Sequence, residues 1–485
     1  MKKIEISPLT RLEGHGKVAI FLDKQGNVAD VFFQVTELRG YERFLTGIPI
    51  EEVPRIVSTV CGVCRCVHFT AALKAADAVY DVLPTPTARK IRELVLNTHF
   101  VEDHAAVLYA LGLPDFVVGP TADPGERNLA GLLRAIGAET SRAVLKKRHA
   151  AVQVIEMLAG KPAHPVAAVP GGWSKQVTEE ERREILARAK EMVELGRLTL
   201  KIFEENVLKN REYMDLVKGD VYKVACNYMG TVDTKNRVQL YEGTQRVVDP
   251  EGKEIARFTG MEYLDHLAER VLPWSYAKLP YLKTIGWKGI SDGRGTSLYC
   301  VGPLARFNAA DGLDTPLAHE AYEKMYDVLG AKPVQNILAY HWARAIELLH
   351  AAEKVQQLAS DESITGPDIF TALEKPAEGV GIIEACRGTL IHHYRTDDQG
   401  IVEEANLVVA TTHNKGPLNV AVKKAAQRFI KDGKVDQGVL NLIEMAHRSY
   451  DPCLACATHV LPGRLPIHVD IYDHTGELYQ SLRNY

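Results

Sequence analysis

Residues 87–111 read TARKIRELVLNTHFVEDHAAVLYAL, and their apolar side chains return at three- and four-residue spacing, the period of a long helix with one core-facing side. Residues 126–158 repeat that pattern. A third long helix is announced by Thr178 with Glu181, a capping-box pair, and runs towards Met214; residues 318–329 and 333–358 read as two more. So many long amphipathic segments predict a helix bundle in the middle of the chain. Outside it the period changes to two. Residues 17–22 and 28–34 alternate apolar and polar around a turn at Gly26, a hairpin pattern, and strand-like segments return at 243–258, 389–410 and 465–478. The expectation is an α+β, mainly helical fold: one large domain with a central long-helix bundle and small peripheral antiparallel sheets.

Composition supports a folded, soluble chain. Of 485 residues, 46% are hydrophobic and 25% charged, which excludes global disorder. The 58 basic and 62 acidic residues leave a net charge of -4, so no basic field is available for nucleic acid. No apolar run approaches the roughly 18 to 20 residues of a membrane span, and MKKIEISPLT lacks the apolar core of a secretory signal; a cytoplasmic location is expected. There is no internal repeat, low-complexity tract or linker at which to divide the chain.

The eight cysteines are placed unevenly: five lie in two tight clusters near the chain ends. One is CGVCRCVH, residues 61–68, and the other DPCLACATH, residues 451–459. Each is a CxxC followed by a histidine. A CxxC turn presents two sulfurs on one side of the backbone, so Cys61, Cys64, Cys453 and Cys456 can together offer a tetrathiolate pocket to zinc, nickel or iron. A structural zinc site is the competing reading. Against it, structural zinc usually staples a short segment with little core, and this chain has ample apolar sequence. Cys226 and Cys300 read as small core residues.

Four separate signatures carry a family resemblance: the segment around Cys61, the DPCxxCxxH segment, the opening TRLEGH at residues 10–15, and GVGIIEACRGTLIHHY at residues 379–394. Together they resemble the large, catalytic subunit of nickel–iron hydrogenases, over nearly the whole chain. The ATH ending and PAHPVAAVPGG, residues 162–172, look most like the cytoplasmic multi-subunit branch, which includes methyl-viologen-reducing, heterodisulfide-reductase-linked and bidirectional enzymes. The resemblance implies a nickel–iron centre whose iron carries carbonyl and cyanide, with Cys61 and Cys453 as terminal nickel ligands and Cys64 and Cys456 bridging to iron. His68 then matches a histidine that hydrogen-bonds a bridging sulfur. Arg387 matches an arginine suspended over the open metal position, cationic at any working pH and able to polarise dihydrogen. Asp103 and Asp451 resemble the carboxylates that hold it, although on spacing alone Asp103 also reads as an ordinary helix-surface acid beside His99. Glu13 matches a proton-relaying glutamate. Glu42 and His459, with the backbone carbonyl of Leu407, resemble magnesium ligands.

The resemblance further implies reversible heterolytic cleavage of dihydrogen, with electrons passed to an iron–sulfur small subunit, then on to a flavin or heterodisulfide-reductase module, because this chain holds no further cysteine cluster. It implies a maturation protease that cuts after His459, giving a domain of residues 1–459 and a removable extension of residues 460–485. That tail could instead be a retained hairpin. Thr59, Cys66, Cys386 and His413 depart from the family pattern. A dihydrogen sensor with the same centre, and a non-catalytic metal-bound scaffold related to respiratory-complex subunits, are the alternatives.

Overall fold

The computed structural model describes residues 2–458 and 468–483. The segment at 87–111 folds mainly as the Pro86–Val107 helix. Thr85 caps it, its Oγ1 accepting from the Ala88 amide at 3.2 Å, and Pro86 sits at the first position, where a missing N–H is harmless. This helix packs on Ala138–Ala159 and on Ala339–Ser360, and both of those pack on Glu179–Phe203. Four helices thus close into the expected bundle.

The capping box forms at the start of the Glu179–Phe203 helix: Thr178 Oγ1 accepts from the Glu181 amide at 3.2 Å, and Glu181 Oε2 from the Thr178 amide at 2.9 Å. A Thr178→Ala chain is expected to lose about 1 kcal/mol of stability. Thermal unfolding would show this as a small drop in midpoint.

Three helix boundaries differ from the sequence pattern. Residues 126–158 form two helices, Leu129–Ile136 and Ala138–Ala159, because Gly137 takes φ 85° between them. Residues 178–214 break after Phe203 into a π-helical turn, Glu204–Leu208, and Asn210 then caps a separate helix, Arg211–Lys218. Residues 333–338 stay outside the helix because tertiary partners take their backbone groups: the Val224 amide bonds Gln335 O at 2.9 Å and the Ile337 amide bonds Tyr222 O at 3.0 Å. Helix begins only at Ala339.

The N-terminal hairpin forms as Gly16–Leu22 paired with Val28–Val35, and Lys2–Ile6 adds an antiparallel edge strand that the alternation pattern does not announce. A second antiparallel sheet, Glu378–Ala385, Gly388–Thr396 and Val402–Val408, lies on the Arg65–Val79 helix. That contact explains two glycines. A Cβ on Gly379 would stand 2.3 Å from Val79 N, and one on Gly381 2.3 Å from Ala71 O, so the strand lies flush on the helix backbone. The expected strand at residues 465–478 is a hairpin, His468–Tyr472 with Leu478–Arg483.

Candidate metal centre

Cys61 follows the Ser58–Val60 turn and Cys64 caps the Arg65–Val79 helix; between them the Cys61 sulfur accepts from the amides of Val63 (3.2 Å) and Cys64 (3.3 Å). The second pair follows the Gln437–Tyr450 helix, which Asp451 ends at φ 53°. The chain ends meet through backbone. Glu13 bridges Cys453 in parallel, the Leu454 amide bonds Glu13 O at 2.9 Å, and the Cys453 amide bonds Thr411 Oγ1 at 2.9 Å.

The sulfurs of Cys61, Cys64, Cys453 and Cys456 lie within 4.8 Å of one another, all buried, and none is in a disulfide. Burial, and then the neighbouring sulfurs, push the Cys453 thiol well above the usual range. Hydrogen bonds from Cys453, Cys456 and Cys64 pull Cys61 well below it. The pocket therefore tolerates little negative charge by itself, and a bound cation is what allows four thiolates there. Four sulfur donors with no oxygen among them suit nickel, iron or zinc and not a hard ion.

Arg387 distinguishes this site from a closed zinc staple. Ala385 pairs with Gly388, so Cys386 and Arg387 form the two-residue tip of a hairpin whose arginine is 2% exposed. Its Nη1 lies 3.0 Å from Cys64 Sγ and 3.2 Å from Asp103 Oδ1, and its Nη2 lies 3.0 Å from Asp451 Oδ2. Burial works against its charge, but Asp103 and Asp451 hold its pKa well above the ordinary value. Asp103 is fully buried, which overturns its reading as a helix-surface acid. Burial raises Asp451 to about 6 against the pull of Arg387 and Arg344.

Glu13 Oε2 accepts from Cys453 Sγ at 3.0 Å and from the Ala455 amide at 3.1 Å. Burial and the Cys61 charge raise its pKa, so its carboxyl holds a proton more readily than an exposed one. His68 is buried, and its Nδ1 lies 3.1 Å from His392 Nε2, which in turn leads through Nδ1 to Tyr394 OH at 2.6 Å. Burial lowers His68 to about 4, leaving it neutral at ordinary pH. Glu42 Oε1 accepts from the amide of Leu407 at 2.8 Å and from Lys278 Nζ at 3.3 Å. It is thus the N–H of Leu407 that meets Glu42, and a lysine shares the carboxylate. His459 lies outside the described residues.

Sequence pattern does not single out His392, Lys278, or a buried charge group of Arg306, Glu347, Glu384 and His104. His392 and Glu384 stand inside the motif at residues 379–394; the others carry no local signal. Cys386 also approaches His99 and Asp103, their ligand atoms lying within 4.8 Å of one another. Cys226 and Cys300 are buried core residues.

The sequence profile of the family described as nickel-dependent hydrogenase matches residues 39–127 and 286–459, and a profile described as HoxL-like matches residues 3–38. The chain belongs to the nickel-dependent hydrogenase family. The matched segments hold all four cysteines, His68, Asp103, Arg387 and Asp451, and the N-terminal one holds Glu13. Over 100% of both chains, this hydrogenase chain is 62% identical to a protein of Archaeoglobus profundus named as an iron-sulfur component of an F420-non-reducing hydrogenase. It is 36% identical to the "NAD-reducing hydrogenase HoxS subunit beta" of Cupriavidus necator over 98% of each. Among solved structures, an NAD+-reducing [NiFe]-hydrogenase in the H2-reduced state superposes with a TM-score of 0.88 at 37% identity, covering 95% of this chain and 100% of that one. The chain is a nickel–iron hydrogenase large subunit, an oxidoreductase acting on dihydrogen.

Proposed function

We propose that this subunit cleaves dihydrogen reversibly and heterolytically at a nickel–iron centre held by Cys61, Cys64, Cys453 and Cys456, with Cys64 and Cys456 shared with iron. The carrying observation is the Arg387 guanidinium beside the Cys64 sulfur, fixed by two buried carboxylates. When bound, the centre supplies a redox-active Lewis acid for the substrate, its iron carrying carbonyl and cyanide. Around it the protein's own groups do the rest. Arg387 places a permanent cation where the electrons of dihydrogen are polarised, in a site closed to water. Glu13, hydrogen-bonded to Cys453, receives the proton, and burial keeps its carboxyl protonatable. His68 stays neutral, paired through Nδ1 with His392, and is the proposed hydrogen-bond partner of a bridging sulfur.

Electrons have to leave the chain. Cys66, Cys226, Cys300 and Cys386 are buried apart from the tetrathiolate, and among the described residues the metal-capable groups are the tetrathiolate and the His99, Asp103 and Cys386 trio. Nothing in either builds an iron–sulfur relay, so an iron–sulfur small subunit takes the electrons, with a flavin or heterodisulfide-reductase module beyond it. A relative named as NAD-reducing supports a soluble acceptor. Eight free cysteines agree with a reducing, cytoplasmic compartment, and no helix among the described residues is long and apolar enough to cross a membrane. Glu42, Leu407 and His459 are the proposed magnesium site, and a maturation protease acting after His459 would release residues 460–485.

An infrared spectrum of the protein purified from its host tests the reading. Metal-bound carbonyl and cyanide stretches are expected; a metal-replete sample without them would leave a structural zinc scaffold. For the proton step, Glu13→Gln keeps the shape and removes the titrating group. Dye-linked dihydrogen oxidation should fall by about 100-fold or more, the range that one general base contributes, while the infrared bands stay. Unchanged turnover would move the proton elsewhere.

A further inference from the structure

Arg306 touches none of the four cysteines, yet it grips the backbone that carries Arg387. It lies on the short Pro303–Ala309 helix and is fully buried. Its Nε donates to Glu347 Oε1 at 2.8 Å and its Nη2 to Glu347 Oε2 at 2.7 Å. Its Nη1 donates to the Glu384 carboxylate and, at 2.9 Å, to the Ala385 carbonyl, while Nη2 lies 3.5 Å from the Cys386 carbonyl. Glu384, Ala385 and Cys386 are the three residues immediately before Arg387. We infer that Arg306 is a positioning residue that fixes the hairpin tip and thereby aims the Arg387 guanidinium at the sulfur cluster.

The surroundings make this clamp rigid. Glu384 Oε1 also accepts from the Thr231 amide (2.9 Å), Thr231 Oγ1 (2.8 Å) and Thr389 Oγ1 (3.0 Å). Glu347 Oε2 meets His104 Nε2 at 2.7 Å. The segment that leads into the Arg306 helix presses on the other side of the tip. A Cβ on Gly302 would stand 2.8 Å from Arg387 O, and one on Gly388 2.2 Å from Val301, so both glycines permit a close approach of the two segments. Asn414 Nδ2 ties Val301 O at 3.1 Å. The tip is thus held from two directions by one piece of chain, residues 301–306. A purely stabilising role suits this arginine poorly, because a buried ion pair brings little net stability over apolar packing of the same volume. What it does provide is a fixed geometry, and a misplacement of about 1 Å at a reacting group can lower rates on the order of 100-fold.

The inference rests on the role proposed for Arg387, and its test keeps the two apart. Arg306→Lys retains a cation between Glu347 and Glu384 but cannot reach both carboxylates and both carbonyls. In the holoenzyme, dihydrogen oxidation per bound nickel should fall on the order of 100-fold with infrared bands retained. In an Arg387→Lys background the same change should cost less than about twofold, because the group being aimed is gone. A merely structural arginine would give equal losses in both backgrounds, or losses that track nickel content, and either would overturn the proposal. Should Arg306→Lys not accumulate as folded holoenzyme, Glu384→Gln serves in its place with the same two backgrounds. A crystal structure of whichever variant folds reads the claim without activity: Arg387 Nη1 should leave Asp103 or Cys64, and an unmoved guanidinium refutes it. If the wild-type holoenzyme lacked carbonyl and cyanide bands, the functional reading would fail while this structural arm still decided the clamp.

Discussion

A chain carrying Cys61→Ala should hold no nickel when purified from a host that loads the wild-type protein. Cys61 Sγ lies 3.4 Å from Cys453 Sγ at the meeting point of the two turns, and its amide contacts from Val63 and Cys64 fix where it points. Removing it leaves three buried thiols, and burial, the first cause that holds Cys453 and Cys456 well above the usual thiol range, remains. Metal affinity depends on those thiols giving up protons, so the remaining donors compete poorly for a divalent ion. Metal analysis by mass spectrometry should show nickel at background and the infrared bands absent, with dye-linked turnover lost altogether. Cys226→Ala, equally buried but outside the cluster, is the control and should keep its metal. Full nickel in the Cys61 variant would place the metal elsewhere.

Arg387→Lys should leave the centre assembled and slow. The arginine spans Cys64, Asp103 and Asp451 with two nitrogens of one planar group. A lysine ammonium is a point charge and cannot occupy both ends of that span. Losing one preorganised cationic donor at a reacting centre typically lowers turnover by about 100- to 1000-fold, and that is the expected drop per bound nickel. The variant should also acquire a pH dependence. An ammonium, unlike a guanidinium, can give up its proton; burial favours that loss and Asp103 and Asp451 oppose it, and since the charge is lost only as pH rises, any decline in residual activity should come on the alkaline side. Activity within about threefold of wild type at all pH values would make Arg387 dispensable for turnover.

Much of the candidate site was legible because its residues announce themselves locally. Two CxxC turns each followed by histidine, TRLEGH and EACRG are short contiguous signals, and the structure gathers Cys61, Cys64, Cys453, Cys456, Glu13, Arg387, Asp103 and Asp451 in one place. Arg306, Glu347 and Lys278 gave no such signal. A charged residue in a helix or strand normally points to water, and nothing in the neighbouring letters says that Arg306 is fully buried between two carboxylates that arrive from 41 and 78 residues away. The hydrogen bond from the Leu407 amide to Glu42 shows the same limit at finer grain, since the two residues stand 365 apart in the chain.

Periodicity, capping and CxxC spacing are local properties that any fold must respect, and they alone sufficed for the helical bundle, the N-terminal hairpin, the capping box at Thr178 and the identity of the four sulfur donors. Where helices stop, and which groups meet, depended on packing between distant segments. Residues 333–338 fit a helical pattern and yet form no helix, since Tyr222 and Val224 offer their backbone groups partners across the fold. The closeness of Glu13 to Cys453, and of Arg306 to the tip that carries Arg387, exists only after the chain ends and the bundle have closed on each other. Those long-range contacts are what turn a set of soft ligands into a site with a fixed cation and a base.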